Sequence, residues 1–286
     1  MNQPEKGSKT AIKLMAWASF YFGRTLTRPV VYLIALFYLV FASSARKASG
    51  QYLSRSLGRS PTLLEQYKHF LHFSTVTHDR LYLLAGRFDY FRFSISGESE
   101  IRDALISGKG VLLYGAHFGS FEAVKYTANQ DQKQHIAMLM HEENSRQLLD
   151  ILKEVSPDFA KSIISLGSIG TMIDVKDRLD KGYMIGLLAD RAVKDENRLP
   201  TSFLGQGASF PEAPFKLQGL FKCPAIFIAG VYLGSNKYQI HFRKLAIDGA
   251  THSSNKLQEN YVRTLESLCK DYPFNWFNFY DFWGSA

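Results

Sequence analysis

Apolar residues along this chain keep two rhythms, with two long apolar blocks set before them. The blocks, Leu14 to Phe22 and Pro29 to Ala42, carry no charge. From Leu63 to Leu84, the positions Leu64, Tyr67, Phe70, Leu71, Phe73, Val76, Leu81 and Leu84 recur at helical spacing, and Ser60-Pro61 opens that helix. Phe88 to Ser96 alternates as a strand does. Val111 to Tyr114 then reads as a short buried strand and Tyr183 to Ala189 as an apolar one, with further strands at Gln134 to Met140 and Ala225 to Leu233. Tyr238 to Leu245 follows across Gly234-Ser-Asn-Lys237, a turn tight enough to make that last pair antiparallel. Helices are expected at 99–107, 146–155, 169–180, 212–222 and 255–270, with 46–60 as a basic connector and 192–210 as a loop over a sheet edge. Strands alternating with helices predict an α/β fold: a mixed, mostly parallel central sheet flanked by helices.

Three strand ends carry polar chemistry, where sites on such sheets usually sit. The first is Val111-Leu-Leu-Tyr-Gly-Ala-His-Phe-Gly-Ser-Phe-Glu122. In a plain helix, five residues at about 100° each would set His117 and Glu122 roughly 140° apart. Their meeting therefore requires loop, which Gly119 permits, with Ser120 placed to cap a helix beyond it. Such a pair suits a neutral imidazole that takes a hydroxyl proton while a carboxylate orients the ring. A histidine merely satisfied beside a helix N-terminus is the plainer alternative. The second cluster is His141-Glu-Glu-Asn-Ser-Arg146, where Asn144 and Arg146 could hold an anionic or polar substrate or belong to a capping segment. The third is Asp190-Arg191: the arginine suits phosphate or carboxylate recognition, and Asp190 either holds it or ends the strand. His69, His72 and His78 do not share one helical face, so solvated or core-edge positions are expected rather than a metal site.

Charge changes the picture at one end only. Residues 1–60 hold nine Lys/Arg against the single acid Glu5, so the whole net charge of +8 lies there and the remainder balances at 25 basic and 25 acidic residues. Beside the apolar blocks, this points to a basic, aromatic helical hairpin lying in or on an anionic membrane surface. A short tilted span is the alternative, although joining the blocks would bury Arg24 and Arg28. Nucleic acid does not fit basic residues interleaved with membrane-like sequence. Cys223 and Cys269 have no disulfide framework or zinc spacing and fit a reducing compartment. Two regions follow: a membrane-associated segment, 1–60, and a catalytic domain, 61–286.

The His-x4-Glu element after an apolar strand resembles the bacterial late acyltransferases of lipid A biosynthesis, within the lysophospholipid acyltransferase superfamily. The aromatic N-terminal segment, the Asn144–Arg146 cluster, Asp190 and Phe203-Leu-Gly205 fall in that family's order. The resemblance implies an O-acyltransferase at the cytoplasmic face of a bacterial inner membrane. His117 would be the general base, Glu122 its partner and Asp190 a site residue; the tetrahedral intermediate of that chemistry needs an oxyanion donor, for which backbone N–H groups near Gly119 are candidates. It implies an acyl-carrier-protein or acyl-CoA thioester as donor, a membrane lipid or glycolipid as acceptor, and neither metal nor cofactor. The aromatic stretch after Trp276 looks more like the branch associated with aryl polyene and related lipids. A thioesterase-like hydrolase and a catalytically inactive lipid- or carrier-binding protein are the competing readings.

Overall fold

The computed structural model describes residues 9–106, 108–130, 135–141, 160–167, 170–192, 196–245 and 254–284. Among these, strands β1 (Arg92–Ser96), β2 (Val111–Gly115), β3 (Ile136–His141), β4 (Ile163–Leu166), β5 (Met184–Leu188), β8 (Ala225–Gly234) and β9 (Lys237–Lys244) form one sheet. Its order is β1-β9-β8-β2-β5-β3-β4. Every pair is parallel except β8 with β9, so five strands present their carboxyl ends to the same edge. The mixed, mostly parallel α/β sheet expected from the alternation is the architecture found.

Strand β2 sits in the middle and is buried along its whole length. Its alternating side chains feed two cores. Leu112 and Tyr114 join the aromatic cluster under α7 (Ala213–Phe221) and α8 (Ser254–Asp271), whereas Val111 and Leu113 pack on the face covered by α3 (Leu63–Leu84). Helix α3 begins two residues beyond Pro61, at Leu63, and is capped by Thr62, whose hydroxyl accepts the Glu65 N–H while the Glu65 carboxylate accepts the Thr62 N–H. Helices α4 (Glu98–Ile106), α5 (Lys125–Gln130) and α6 (Thr171–Asp180) follow β1, β2 and β4.

Several expectations need correcting. Residues 46–60 are no connector, because α2 (Ser43–Leu57) buries Ala48, Ser49, Tyr52, Leu53 and Ser56 on one face. Residues 192–210 hold a two-stranded hairpin, β6 (Arg198–Phe203) with β7 (Gln206–Pro211). Its two-residue turn, Leu204-Gly205, has positive φ at both positions, the geometry that matches strand twist. His69 and His78 are buried rather than solvated. The expected helix at 146–155 lies outside the described residues.

The N-terminal blocks form α1 (Lys9–Phe41), broken only at Gly23, where φ is 78° and ψ 167°. Trp17 to Phe41, 25 residues, is long and apolar enough to cross a bilayer, which takes about 20. One stripe of it, Arg24, Thr27, Val31, Ala35 and Leu39, is buried, and α1 lies along α3. The remaining faces expose Trp17, Tyr21, Leu26, Leu33, Phe37 and Phe41. Arg24 and Arg28 both donate to the Ser235 carbonyl in the β8–β9 turn. Because β8 runs parallel to β2, that turn lies at the carboxyl edge of the central strands.

Candidate active site

Register alone brings two of the three polar clusters together. Gly115 of β2 pairs with Leu188 of β5, so two residues further on His117 stands opposite Asp190. Its Nδ1 lies 2.8 Å from Asp190 Oδ1, and its backbone N–H donates to Asp190 Oδ2 at 3.1 Å. A carboxylate only accepts, so Nδ1 carries the proton and Nε2 keeps its lone pair. Asp190 is fully buried, while 34% of the His117 side chain is open. Burial, then the Arg191 charge, lower the His117 pKa below 6.5 against the opposing pull of Asp190. Burial would raise the Asp190 carboxyl, but the His117 charge and hydrogen bonds, with Arg191, hold it well below the usual carboxylate range. The result is an ionised aspartate behind an imidazole that stays neutral at physiological pH.

The aromatic tail builds the back of this site. Trp276 is fully buried, and its indole N–H donates to Asp190 Oδ2 at 3.0 Å, so that carboxylate oxygen has two donors. Phe277 N–H donates to His117 O at 2.8 Å, and Gly119 N–H to Asn275 O at 2.8 Å. Asn275 in turn accepts from Tyr232 N–H with its side-chain oxygen and donates to Tyr232 O. His69 supports the tail from α3: its Nε2 lies 2.9 Å from Trp276 O and its Nδ1 2.9 Å from Ser49 Oγ. Burial pushes the His69 pKa down to about 4, so the ring is neutral, donating through Nε2 and accepting through Nδ1.

Glu122 does not orient His117. The segment Phe121–Val124 is a 3-10 turn, and Ser120 caps it with no side-chain bond. Instead Ser120 Oγ donates to Glu122 Oε2 at 3.0 Å, and Glu122 Oε1 lies 2.8 Å from Arg80 Nε on α3. The four-residue spacing does set both groups at one strand end, but they face different neighbours, and Asp190 takes the place expected for Glu122. Gly119 is corrected too: its N–H already binds Asn275 O and is no oxyanion donor. At φ 58°, a Cβ there would come within 2.0 Å of Gly230 O, so glycine serves close approach to β8. Arg191 Nη2 donates to Phe277 O at 2.6 Å, and its guanidinium lies over the Tyr280 ring. Asn144 and Arg146 lie outside the described residues. Sequence reasoning missed Trp276, Asn275 and His69 as parts of the site; their partners are far away in the chain, and no local pattern announces them.

A His–Asp pair with one ring nitrogen open, at a sheet's carboxyl edge, can accept a proton from a hydroxyl or a water. Among the described residues no group of three or more His, Cys, Asp or Glu could hold a metal ion. The model of one family, described as bacterial lipid A biosynthesis acyltransferase, matches residues 84–284. No curated protein matches the chain.

Proposed function

The chain belongs to the bacterial lipid A biosynthesis acyltransferase family, whose activity is acyl transfer to a lipid, and from that premise we propose an O-acyltransferase in which His117 is the general base. His117 Nε2 takes the proton of an acceptor hydroxyl, and Asp190 holds the tautomer and stabilises the imidazolium. The hydroxyl oxygen attacks the carbonyl of an acyl thioester, with no acyl-enzyme intermediate. The observation that carries this reading is the 2.8 Å contact between His117 Nδ1 and the buried Asp190, which leaves Nε2 as the proton acceptor.

The donor is an acyl-carrier-protein thioester, with acyl-CoA as the other thioester of the same chemistry. The acceptor is a hydroxyl of a membrane lipid or glycolipid, and the aromatic tail supports the family branch associated with aryl polyene and related lipids. Residues 1–60 form the membrane-associated segment and 61–286 the catalytic domain, at the cytoplasmic face of a bacterial inner membrane. The exposed apolar faces of α1 and its attachment to the β8–β9 turn support delivery of a lipid acceptor to the carboxyl edge. Asn144 and Arg146, which follow β3 in the chain, are proposed to contact the substrate.

Purified protein in lipid nanodiscs, given acyl-carrier-protein and CoA thioesters, is expected to form an ester product only when acceptor lipid is present. Free fatty acid released without acceptor would instead indicate a hydrolase. Stoichiometric lipid binding without turnover would indicate a binding protein.

A further inference from the structure

The amides nearest the reactive histidine are already engaged. Phe118 N–H donates to Ala116 O, Gly119 N–H to Asn275 O and Ser120 N–H to Gly230 O. Acyl transfer nevertheless places a full negative charge on the carbonyl oxygen, and that oxygen needs a donor. Arg80 offers one. Its Nε is buried 2.8 Å from Glu122 Oε1, an ion pair without hydrogen-bond alignment, yet 41% of the side chain is open, while the Glu122 side chain is 5% exposed. No hydrogen bond among the described residues occupies its terminal nitrogens. Its charge reaches the imidazole, adding to burial and Arg191 in favouring the neutral ring. Arg191, the other guanidinium near the ring, already donates to Phe277 O.

We propose that Arg80, held by the buried Glu122, is a catalytic residue that donates to the thioester carbonyl oxygen as it becomes an oxyanion. The inference rests on the acyl-transfer reading. In the step, the acceptor O–H bond breaks and its proton goes to His117 Nε2. The new O–C bond forms, and the carbonyl π pair moves onto the oxygen that faces Arg80. Collapse restores the carbonyl and breaks the C–S bond, and the leaving thiolate takes the proton back from the imidazolium. Glu122 is then a positioning residue: it acts through the guanidinium rather than the ring. This gives the His-x4-Glu spacing a physical purpose, because the loop that aims His117 also sets a carboxylate beneath the cation from α3.

The test is steady-state kinetics of R80Q and R80A in nanodiscs beside the wild type, with melting curves for each. R80Q removes the charge but keeps a long polar side chain beside Glu122, so it guards against a misfolded R80A. Expected for R80Q is a fall in kcat of roughly 100-fold, with KM for thioester and acceptor changed less than about threefold. Added guanidinium should restore part of the R80A rate. A folded R80Q with kcat within threefold of wild type overturns the proposal, as does a loss confined to KM, which would mark a ground-state anchor. A wild type that transfers no acyl group counts against the acyl-transfer reading itself, whereas an active wild type with unimpaired R80Q refutes Arg80 alone.

Discussion

Two buried aspartates in this protein have almost the same surroundings but partners of different kinds. Asp79 on α3 accepts Arg24 Nε at 2.7 Å, Arg24 Nη2 at 2.9 Å and the Tyr238 hydroxyl at 2.8 Å. Asp190 accepts from His117 and from the Trp276 indole. Each is a fully buried carboxylate with a cationic or protonatable partner and an aromatic donor. The difference lies in what the partner has left. The Arg24 side chain is 8% exposed and also binds Ser235 O, so the pair fastens α1 to the sheet edge. The His117 ring is partly open and keeps one nitrogen for chemistry. Burial and charge pairing do not by themselves mark a site; unsatisfied valence facing the open side does.

The largest effect is expected at the His117–Asp190 pair. Asp190→Asn keeps the shape but removes the charge behind the imidazole, and is expected to lower kcat roughly 10,000-fold while the protein stays folded. Single-turnover acyl transfer and circular dichroism measure the two halves of that statement. The fastener should respond the opposite way. Arg24→Met leaves Asp79 buried without its cation and should cost about 3–5 kcal/mol of stability, read by urea denaturation in detergent. Its kcat per folded molecule should change little; a kcat loss without a stability loss would put Arg24 in the site.

Smaller effects sharpen the contrast. Trp276→Phe keeps most of the packing but removes one donor from Asp190, and should slow transfer about tenfold, as the loss of one hydrogen bond to a charged group implies. The pH profile supplies the signs. Because the folded His117 pKa lies below 6.5, kcat/KM should be flat at neutral pH and fall only as pH drops through that lowered value. Asp190 raises the His117 pKa, so Asp190→Asn should move the acid limb to still lower pH. Trp276→Phe leaves a more basic carboxylate and should move it upward. A limb unmoved by either substitution would separate the titrating group from the dyad.

Much of this was legible in the sequence because the central strands are uninterrupted apolar runs and the flanking helices keep their period. The helix at 63–84, the strands at 111–115, 184–188 and 225–234 and the antiparallel last pair all follow from that. Asp190 and His117 each stand two residues past such a run, so a paired register would have joined them. Chain proximity favoured Glu122 instead, and Glu122 turned to Arg80, a residue on another element. Helix α2 was hidden by its basic face, although Ala48, Tyr52, Leu53 and Ser56 already kept helical spacing. The hairpin at 198–211 was hidden by weak alternation and an unusual Leu-Gly turn. The role of the tail had no local sign, because the bond from Trp276 to Asp190 spans 86 residues.

His117 is the proposed base, and removing its ring is the closest probe of that role. Acyl transfer by His117→Ala, assayed beside wild type with the same thioester and lipid acceptor and a matched melting curve, is predicted to fall by at least about 1,000-fold, within the range for loss of a positioned general base, with folding intact. A folded His117→Ala that retains activity within tenfold of wild type would contradict the account.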